Sequence, residues 1–317
     1  MCGRSEKFVH QTGKQPLGAD EKGKDMKKEL QMRAYAKINL YLEICGRREN
    51  GYHEIDTVMQ TVGLFDKVTL CYDPEGAGIT LTCNKKHIPT DRNNIAYKCA
   101  EKFFEETGRK GGLSIHIEKK IPVAAGLGGG SADGAAVLRG LDRLCRTDLP
   151  LEALCAMGAQ IGADIPFCIR GGCARATGIG EIFSTVADLE QLVPVIAMGK
   201  QGSSTPAAYK ALDDADYRGA GDAMGMIEAL SKKDNEQVLS CLYNAFEGVI
   251  LQGNPEAKAL REGFLNLGAK GALMSGSGAA VFGLFDSTKE AQAACDALRD
   301  EGYFAVVAPV IQDAFSG

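Results

Sequence analysis

The feature that most constrains this chain is a run of small residues, Pro122-Val-Ala-Ala-Gly126-Leu127-Gly128-Gly129-Gly130-Ser131-Ala-Asp133, set between two patterned segments. Ahead of it Leu113, Ile115 and Ile117 alternate with Ser114, His116 and Glu118, the period of a half-buried strand. Beyond it a helical pattern begins near Ser131. Flexible linkers do not feed patterned helices, so the glycines have a local purpose. Consecutive backbone N–H groups can form a concave nest at a helix N-terminus, where the partial positive charge favours phosphate. The loop is neither of the two common nucleotide loops. GxxxxGK[ST] needs a lysine after its last glycine, where Ser131 and Ala132 follow, and GxGxxG needs a third glycine at 131, where serine stands. Ser131 can offer its hydroxyl to a phosphate or to the Mg2+ that a phosphate carries, or act as a plain N-cap.

Two further constellations bear on chemistry. From Arg33 to Ile44 apolar and polar residues alternate, giving a half-buried strand with Lys37 and Asn39 side by side on one face. Elsewhere lies Gly162-Ala-Asp164-Ile-Pro166. A phosphoryl acceptor needs its hydroxyl proton accepted, and a carboxylate kept near a lysine stays ionised for that work. On residue type alone, Asp164 reads first as a turn or cap residue and Lys37 as a solvated charge, with catalysis the lesser reading. Ser275-Gly276-Ser277-Gly278, between strands at 271–274 and 280–285, is either a hairpin turn or a second backbone wall facing a ligand. His10, His53, His87 and His116 show no metal-ligand spacing, which points away from structural zinc. His53, beside Tyr52 in a loop, pairs an aromatic face with a hydrogen-bonding ring edge.

At 317 residues the chain is long enough for two domains. Residues 1–31 are polar and aperiodic and read as a disordered extension; 32–185 form a first domain with the glycine loop, and 186–317 a second. In the first, segments around Val68–Tyr72 and Ile79–Cys83 read as a hairpin across Pro74–Gly78, Asn93 or Asn94 caps a helix carrying Ile95, Cys99 and Phe103, and the GADIP and RGG stretches read as a tight loop and short strands. In the second, helical patterns at 206–213, 235–250, 255–267 and 288–300 alternate with strands near 193–198, 271–274, 280–285 and 304–307, an α+β arrangement. A net charge of −5 argues against nonspecific nucleic-acid binding and leaves a small molecule as the expected partner. Eleven cysteines without a CxxC pair read as thiols in a reducing cytoplasm, and no apolar run reaches bilayer-spanning length. Oligomeric state, monomer or homodimer, stays open.

At these residues the chain resembles the GHMP kinases, the group of galactokinase, homoserine kinase and mevalonate kinase. All three family motifs stand in order, and the likeness runs from about residue 33 to 308. Ala36-Lys-Ile-Asn-Leu-Tyr-Leu42, Gly46-Arg-Arg-Glu-Asn-Gly-Tyr-His53 and Gly162-Ala-Asp-Ile-Pro-Phe167 resemble most the branch that phosphorylates the 2-hydroxyl of a cytidine diphosphate-linked methylerythritol in the non-mevalonate isoprenoid route. The resemblance implies a two-domain α+β fold with its site in the interdomain cleft, and ATP with Mg2+ as cofactors. It makes Asp164 the catalytic base, Lys37 its charged neighbour and Asn39 a substrate ligand. It places Tyr52 and His53 on the cytosine ring, and Pro122 and the Gly126–Ser131 loop around the ATP phosphates. Asn94, Ile95 and Lys119 would lie near the adenine or its sugar, and Thr205 and Tyr209 on the substrate side. The chain departs at Ser204-Thr205-Pro206, where Pro-Thr-Pro is commoner, and at Ala132, where a second serine is common. The alternatives are another small-molecule kinase of the same family, of homoserine or mevalonate type, and a nucleotide-binding sensor that has lost transfer.

Overall fold

A computed structural model describes residues 27–49, 51–217, 219 and 221–312. In chain order its elements are β1 (Lys28–Arg47), β2 (His53–Asp73), β3 (Ile79–Cys83), α1 (Ile95–Thr107), β4 (Gly112–Glu118), α2 (Gly129–Cys145), α3 (Leu151–Ala159), α4 (Ile165–Arg170), β5 (Cys173–Gly178), β6 (Ile182–Thr185) and β7 (Val193–Met198). There follow α5 (Thr205–Asp214), α6 (Met224–Lys232), α7 (Asn235–Ser240), β8 (Tyr243–Asn244), α8 (Glu247–Gly253), α9 (Pro255–Asn266), β9 (Gly271–Met274), β10 (Val281–Phe285), α10 (Thr288–Asp300) and β11 (Phe304–Val307). Of the expected 1–31 extension, residues up to 26 lie outside the described residues. Residues 28–31 do not belong to an extension, because they are strand and pair with β2 from Lys28↔Tyr72 onward.

The long β1–β2 hairpin is the spine of the first sheet. Its register slips between Tyr35 and Lys37, between Asn39 and Tyr41, and between Ile44 and Gly46. Such bulges bend a strand and re-aim its side chains. The bent β2 serves two partners, pairing β5 through Ile55–Gln60 and β4 through Lys67–Asp73. Strict alternation also fails: every residue from Ala36 to Ile44 is buried, so the expected half-buried strand is covered on both faces where it carries Lys37 and Asn39. The expected hairpin across Pro74–Gly78 is corrected. The sheet order is β3-β4-β2-β1-β8, with β3 parallel to β4, so β4 lies between the two segments that sequence proximity had paired. The GADIP stretch leads into a short helix, α4, with Pro166 in its first turn, and the expected short strands follow the RGG stretch as β5 and β6. Helices α1, α2 and α4 pack on this sheet through Phe103, Leu138, Leu141, Ile165 and Phe167, all fully buried, and α3 packs against those helices.

The second sheet has the order β11-β7-β10-β9, every pair antiparallel. Helix α10 starts at a reciprocal cap in which Ser287 Oγ accepts from Glu290 N and donates to Glu290 Oε2. The single helix expected over 235–250 is broken, because Tyr243 and Asn244 leave helical geometry to pair in parallel with Tyr41 and Leu42 of β1. Apart from β8, the strands of the first sheet end at Thr185 and those of the second begin at Val193, yet the halves share a core. Ile38 and Leu40 of β1 pack in one cluster with Leu127, Ile196, Met226 and Phe282. The glycine loop therefore crosses a seam held from both sides.

Candidate active site

At that seam Ser275 Oγ donates to Gly126 O at 3.0 Å, Ala280 N donates to Ala125 O at 3.0 Å, and Lys37 N donates to Leu127 O at 3.0 Å. The Ser275–Gly278 segment is thus both a hairpin connection between β9 and β10 and a wall against the glycine loop. Two glycines are demanded by geometry. Gly126 has φ +75°, and a Cβ there would lie 2.0 Å from Ser275 O; Gly128 has φ +68°, and its Cβ would meet Lys37 Cγ at 3.1 Å. Gly128 occupies the N-cap of α2 with no side-chain cap bond. The first backbone N–H groups of a helix have no intrahelical acceptor, so those of Gly129, Gly130 and Ser131 offer donors and dipole to an anion. The helix begins at Gly129, two residues ahead of the expected Ser131.

Lys37, Asn39 and Asp164 come together beside this loop. Lys37 Nζ donates to Asn39 Oδ1 at 2.7 Å and lies 3.6 Å from Asp164 Oδ2. The Lys37 side chain is 5% exposed and that of Asp164 is 38% exposed, so the ammonium is buried and the carboxylate opens to the cleft. Asn39 is oriented from behind: its Nδ2 donates to Thr57 Oγ1 at 2.8 Å, and Thr57 Oγ1 in turn donates to Tyr41 O at 2.6 Å. A buried lysine shared between an amide oxygen and one carboxylate fixes the direction in which that carboxylate points.

All the sequence-predicted residues line one cleft of about 1140 Å³. Asn94 and Lys119 nonetheless have their polar atoms engaged elsewhere. Asn94 Oδ1 caps α1 by accepting from Ala96 N, and its Nδ2 donates to Pro89 O. Lys119 Nζ donates to Asp66 Oδ2 and Asp133 Oδ2, both at 2.6 Å, in a buried triad beneath the first turn of α2. Burial works against charge on Lys119, but Asp133 and Asp66 outweigh it and raise its pKa. Burial pushes the Asp133 carboxyl up to about 7 against the pull of Lys119, and its Oδ1 has no hydrogen-bond partner among the described residues. Asp66 Oδ1 also accepts from Lys120 N and Ile121 N, fixing the approach to the glycine loop. Ile95 packs over Gly130, where a Cβ would be 3.2 Å from its Cδ1.

The other end of the cleft is aromatic. The His53 and Tyr209 rings stack with centroids 4.5 Å apart and planes inclined 21°, and Phe246 meets Tyr209 edge-on at 5.0 Å. Burial, with Asp164 adding, raises Tyr209 to about 12 and keeps the phenol neutral. His53 Nε2 is 2.8 Å from Asp213 Oδ1, and Arg47 Nη1 is 3.3 Å from Asp213 Oδ2. Tyr52 is 60% exposed at the rim. The hydroxyls of Thr205 and Ser277 are hydrogen-bonded at 2.8 Å, tying α5 to the Ser275–Gly278 wall. Sequence reasoning missed Asp213, Phe246 and the Asp66–Lys119–Asp133 triad. Asp213 sits one helical turn after Tyr209, a spacing that could have found it; nothing local marks Phe246.

The model of the GHMP kinase N-terminal domain matches residues 94–172, and that of the GHMP kinase C-terminal domain matches 226–303. A 4-diphosphocytidyl-2-C-methyl-D-erythritol kinase of Clostridium perfringens is 40% identical over 270 residues, covering 85% of this chain and 93% of its own. The chain belongs to this family of GHMP kinases. A member from a Synechococcus strain is 43% identical over 281 residues, 84% of this chain and 88% of that one. A crystal structure of a 4-(cytidine 5'-diphospho)-2C-methyl-D-erythritol kinase superposes with a TM-score of 0.73 at 35% identity, over 88% of this chain and 99% of that one. The homoserine kinase of Cytophaga hutchinsonii reaches the same TM-score at 19% identity, which speaks to the fold alone. The two-domain α+β fold and ATP-dependent kinase activity follow from this membership. No helix among the described residues is long and apolar enough to cross a membrane.

Proposed function

We propose that the protein transfers the γ-phosphate of ATP to the 2-hydroxyl of 4-diphosphocytidyl-2-C-methyl-D-erythritol. The observation that carries this reading is the position of Lys37, Asn39 and Asp164 between an anion-binding helix terminus and an aromatic pocket, in one cleft. The N–H groups of Gly129, Gly130 and Ser131 bind phosphate, with Gly126, Leu127 and Gly128 shaping the curve and Pro122 lining its entry. Asn94 and Ile95 serve the nucleoside by shape, and Lys119 holds the floor rather than the sugar. Asp164 accepts or orients the proton of the acceptor hydroxyl, Lys37 aims that carboxylate and offsets charge on the moving phosphoryl group, and Asn39 orients substrate. Tyr52, His53 and Tyr209 hold the cytosine, and Thr205 lines the substrate side.

The residues fit a phosphate-borne Mg2+. Among the described residues no group of three His, Cys, Asp or Glu could hold a metal alone, which matches an ion that takes most of its ligands from phosphates and water. Ser131 would supply a hydroxyl, its Oγ being 3.9 Å from where a Cβ on Gly162 would stand. When bound, Mg2+ neutralises developing charge on the phosphates. The ten described cysteines are all free thiols, which suits a reducing cytoplasm. The test is ADP release coupled to a panel of alcohols: turnover is expected with the cytidine-bearing methylerythritol and not with homoserine or mevalonate. ATP binding without turnover on any of them would favour a silent sensor.

A further inference from the structure

Asp213 is absent from every motif that marks the site, yet it touches a ring whose edge can hydrogen-bond to a base. A carboxylate is an acceptor only, so a neutral imidazole whose Nε2 stands 2.8 Å from Asp213 Oδ1 must carry its proton on Nε2. The ring has little freedom to turn away. Tyr209 stacks on its face from one turn earlier on α5, and Arg47, the cross-strand partner of His53, engages the second Asp213 oxygen at 3.3 Å. The His53 hydrogen bond, with Arg47 and Lys210 adding their charge, holds the Asp213 carboxyl below its usual range, so it stays ionised through neutral pH. Among the described residues Nδ1 has no hydrogen-bond partner. It is therefore a lone-pair acceptor in a residue that lines the cleft.

We infer that Asp213 is a positioning residue for base specificity: by fixing the His53 proton on Nε2 it leaves Nδ1 to accept from the exocyclic amine of cytosine and to repel the carbonyl that uracil presents there. The inference rests on the proposed cytosine pocket and deepens it. A site built for a donor rejects an isostere that offers an acceptor, because two lone pairs then face each other without a proton.

The test uses the full chain, with CDP, UDP and ADP titrated by calorimetry and the His53 tautomer read by 15N NMR at pH 8. Wild type is expected to bind CDP at least about 10-fold tighter than UDP, with an Nε2-protonated ring. Asp213→Ala should reduce the CDP/UDP ratio by about 10-fold, leave ADP binding unchanged and give a mixed-tautomer ring. Asp213→Asn, which can present either end of its amide, should fall between. A merely structural role would weaken CDP and UDP together and preserve their ratio, and that outcome overturns the inference. So does a wild-type ring protonated on Nδ1, a measurement that needs no variant to fold. His53→Ala separates the two levels: undiminished CDP affinity there would remove the cytosine pocket itself, whereas lost CDP affinity beside an unchanged ratio in Asp213→Ala would remove only the role given to Asp213.

Discussion

Replacing Gly126 by alanine sets the glycine loop against the wall that positions it. The new Cβ would stand 2.0 Å from Ser275 O and 2.9 Å from Gly278 N. Both are backbone atoms, so no rotamer change relieves the contact, and the two loops must part by about 1 Å to reach any tolerated separation. Parting strains the bonds Ser275 Oγ→Gly126 O and Ala280 N→Ala125 O, worth roughly 1 kcal/mol each, and the left-handed φ of +75° adds about 1 kcal/mol more for a residue with a Cβ. The expected destabilisation is about 2–3 kcal/mol. Because a displacement of about 1 Å at a reacting centre can cost roughly 100-fold, kcat/KM for ATP should fall by that order. Gly128→Ala is the internal comparison, since its Cβ meets the flexible stem of Lys37 at 3.1 Å rather than backbone. It should cost about 1 kcal/mol of stability and act mainly on kcat by displacing the ammonium. Urea unfolding and initial-rate kinetics on both variants decide the matter. A Gly126→Ala protein with native stability and native kcat/KM would refute the claim that the two loops are held by direct backbone contact.

Asp164→Asn should lower kcat by about 10²–10⁴ while the KM for ATP changes little, because nucleotide contacts are made by the glycine loop; a near-native kcat in initial-rate assays would take Asp164 out of the chemistry. Lys37→Ala should also lower kcat, and the double variant should lose less than the product of the single losses, since the groups act as a unit at 3.6 Å. His53→Ala should raise the KM for the cytidine-bearing acceptor well above any change for ATP, and equal rises would count against a base pocket. Asp66→Ala removes one partner of the buried Lys119 and the acceptor of two backbone N–H groups, so urea melts should show a loss of about 3–5 kcal/mol; a loss under about 1 kcal/mol would mean the triad does not anchor the loop.

What could be read from the chain follows the range of the interactions that set it. Helix α10, with its Ser287 cap and Glu290 return bond, is specified by residues within four positions of one another, and its predicted bounds of 288–300 match. The nest is similarly local, since glycines, a preceding strand and a following helix determine it together. The connection after Asp73 was not legible, because β4 lies between β2 and β3 although it comes some thirty residues later. Nothing in Val68–Cys83 records that insertion. The helix expected over 235–250 failed for the same kind of reason: Tyr243 and Asn244 are drawn out of helical geometry by a sheet edge two hundred residues away, and Asn244 Nδ2 then donates to Met274 O and Gly276 O behind the site.

The same division runs through the cleft. Its phosphate end depends on backbone donors that one segment supplies, so a short motif suffices and rival kinases of this fold can share it. The proposed base end depends on a pairing of β1–β2 with α5 and α8, which brings Arg47, His53, Tyr209, Asp213 and Phe246 together from both halves. Docking is set by the shared core around Ile38, Leu127 and Phe282 and by the bonds Ser275 Oγ→Gly126 O and Ala280 N→Ala125 O. On the proposed reading, substitutions on the exposed turn of α5 alter which base is read without disturbing the phosphate nest. On the proposed reading, the chemistry of transfer is held by the backbone of the glycine loop and the buried Lys37, and the choice of acceptor by side chains that include the exposed Asp213.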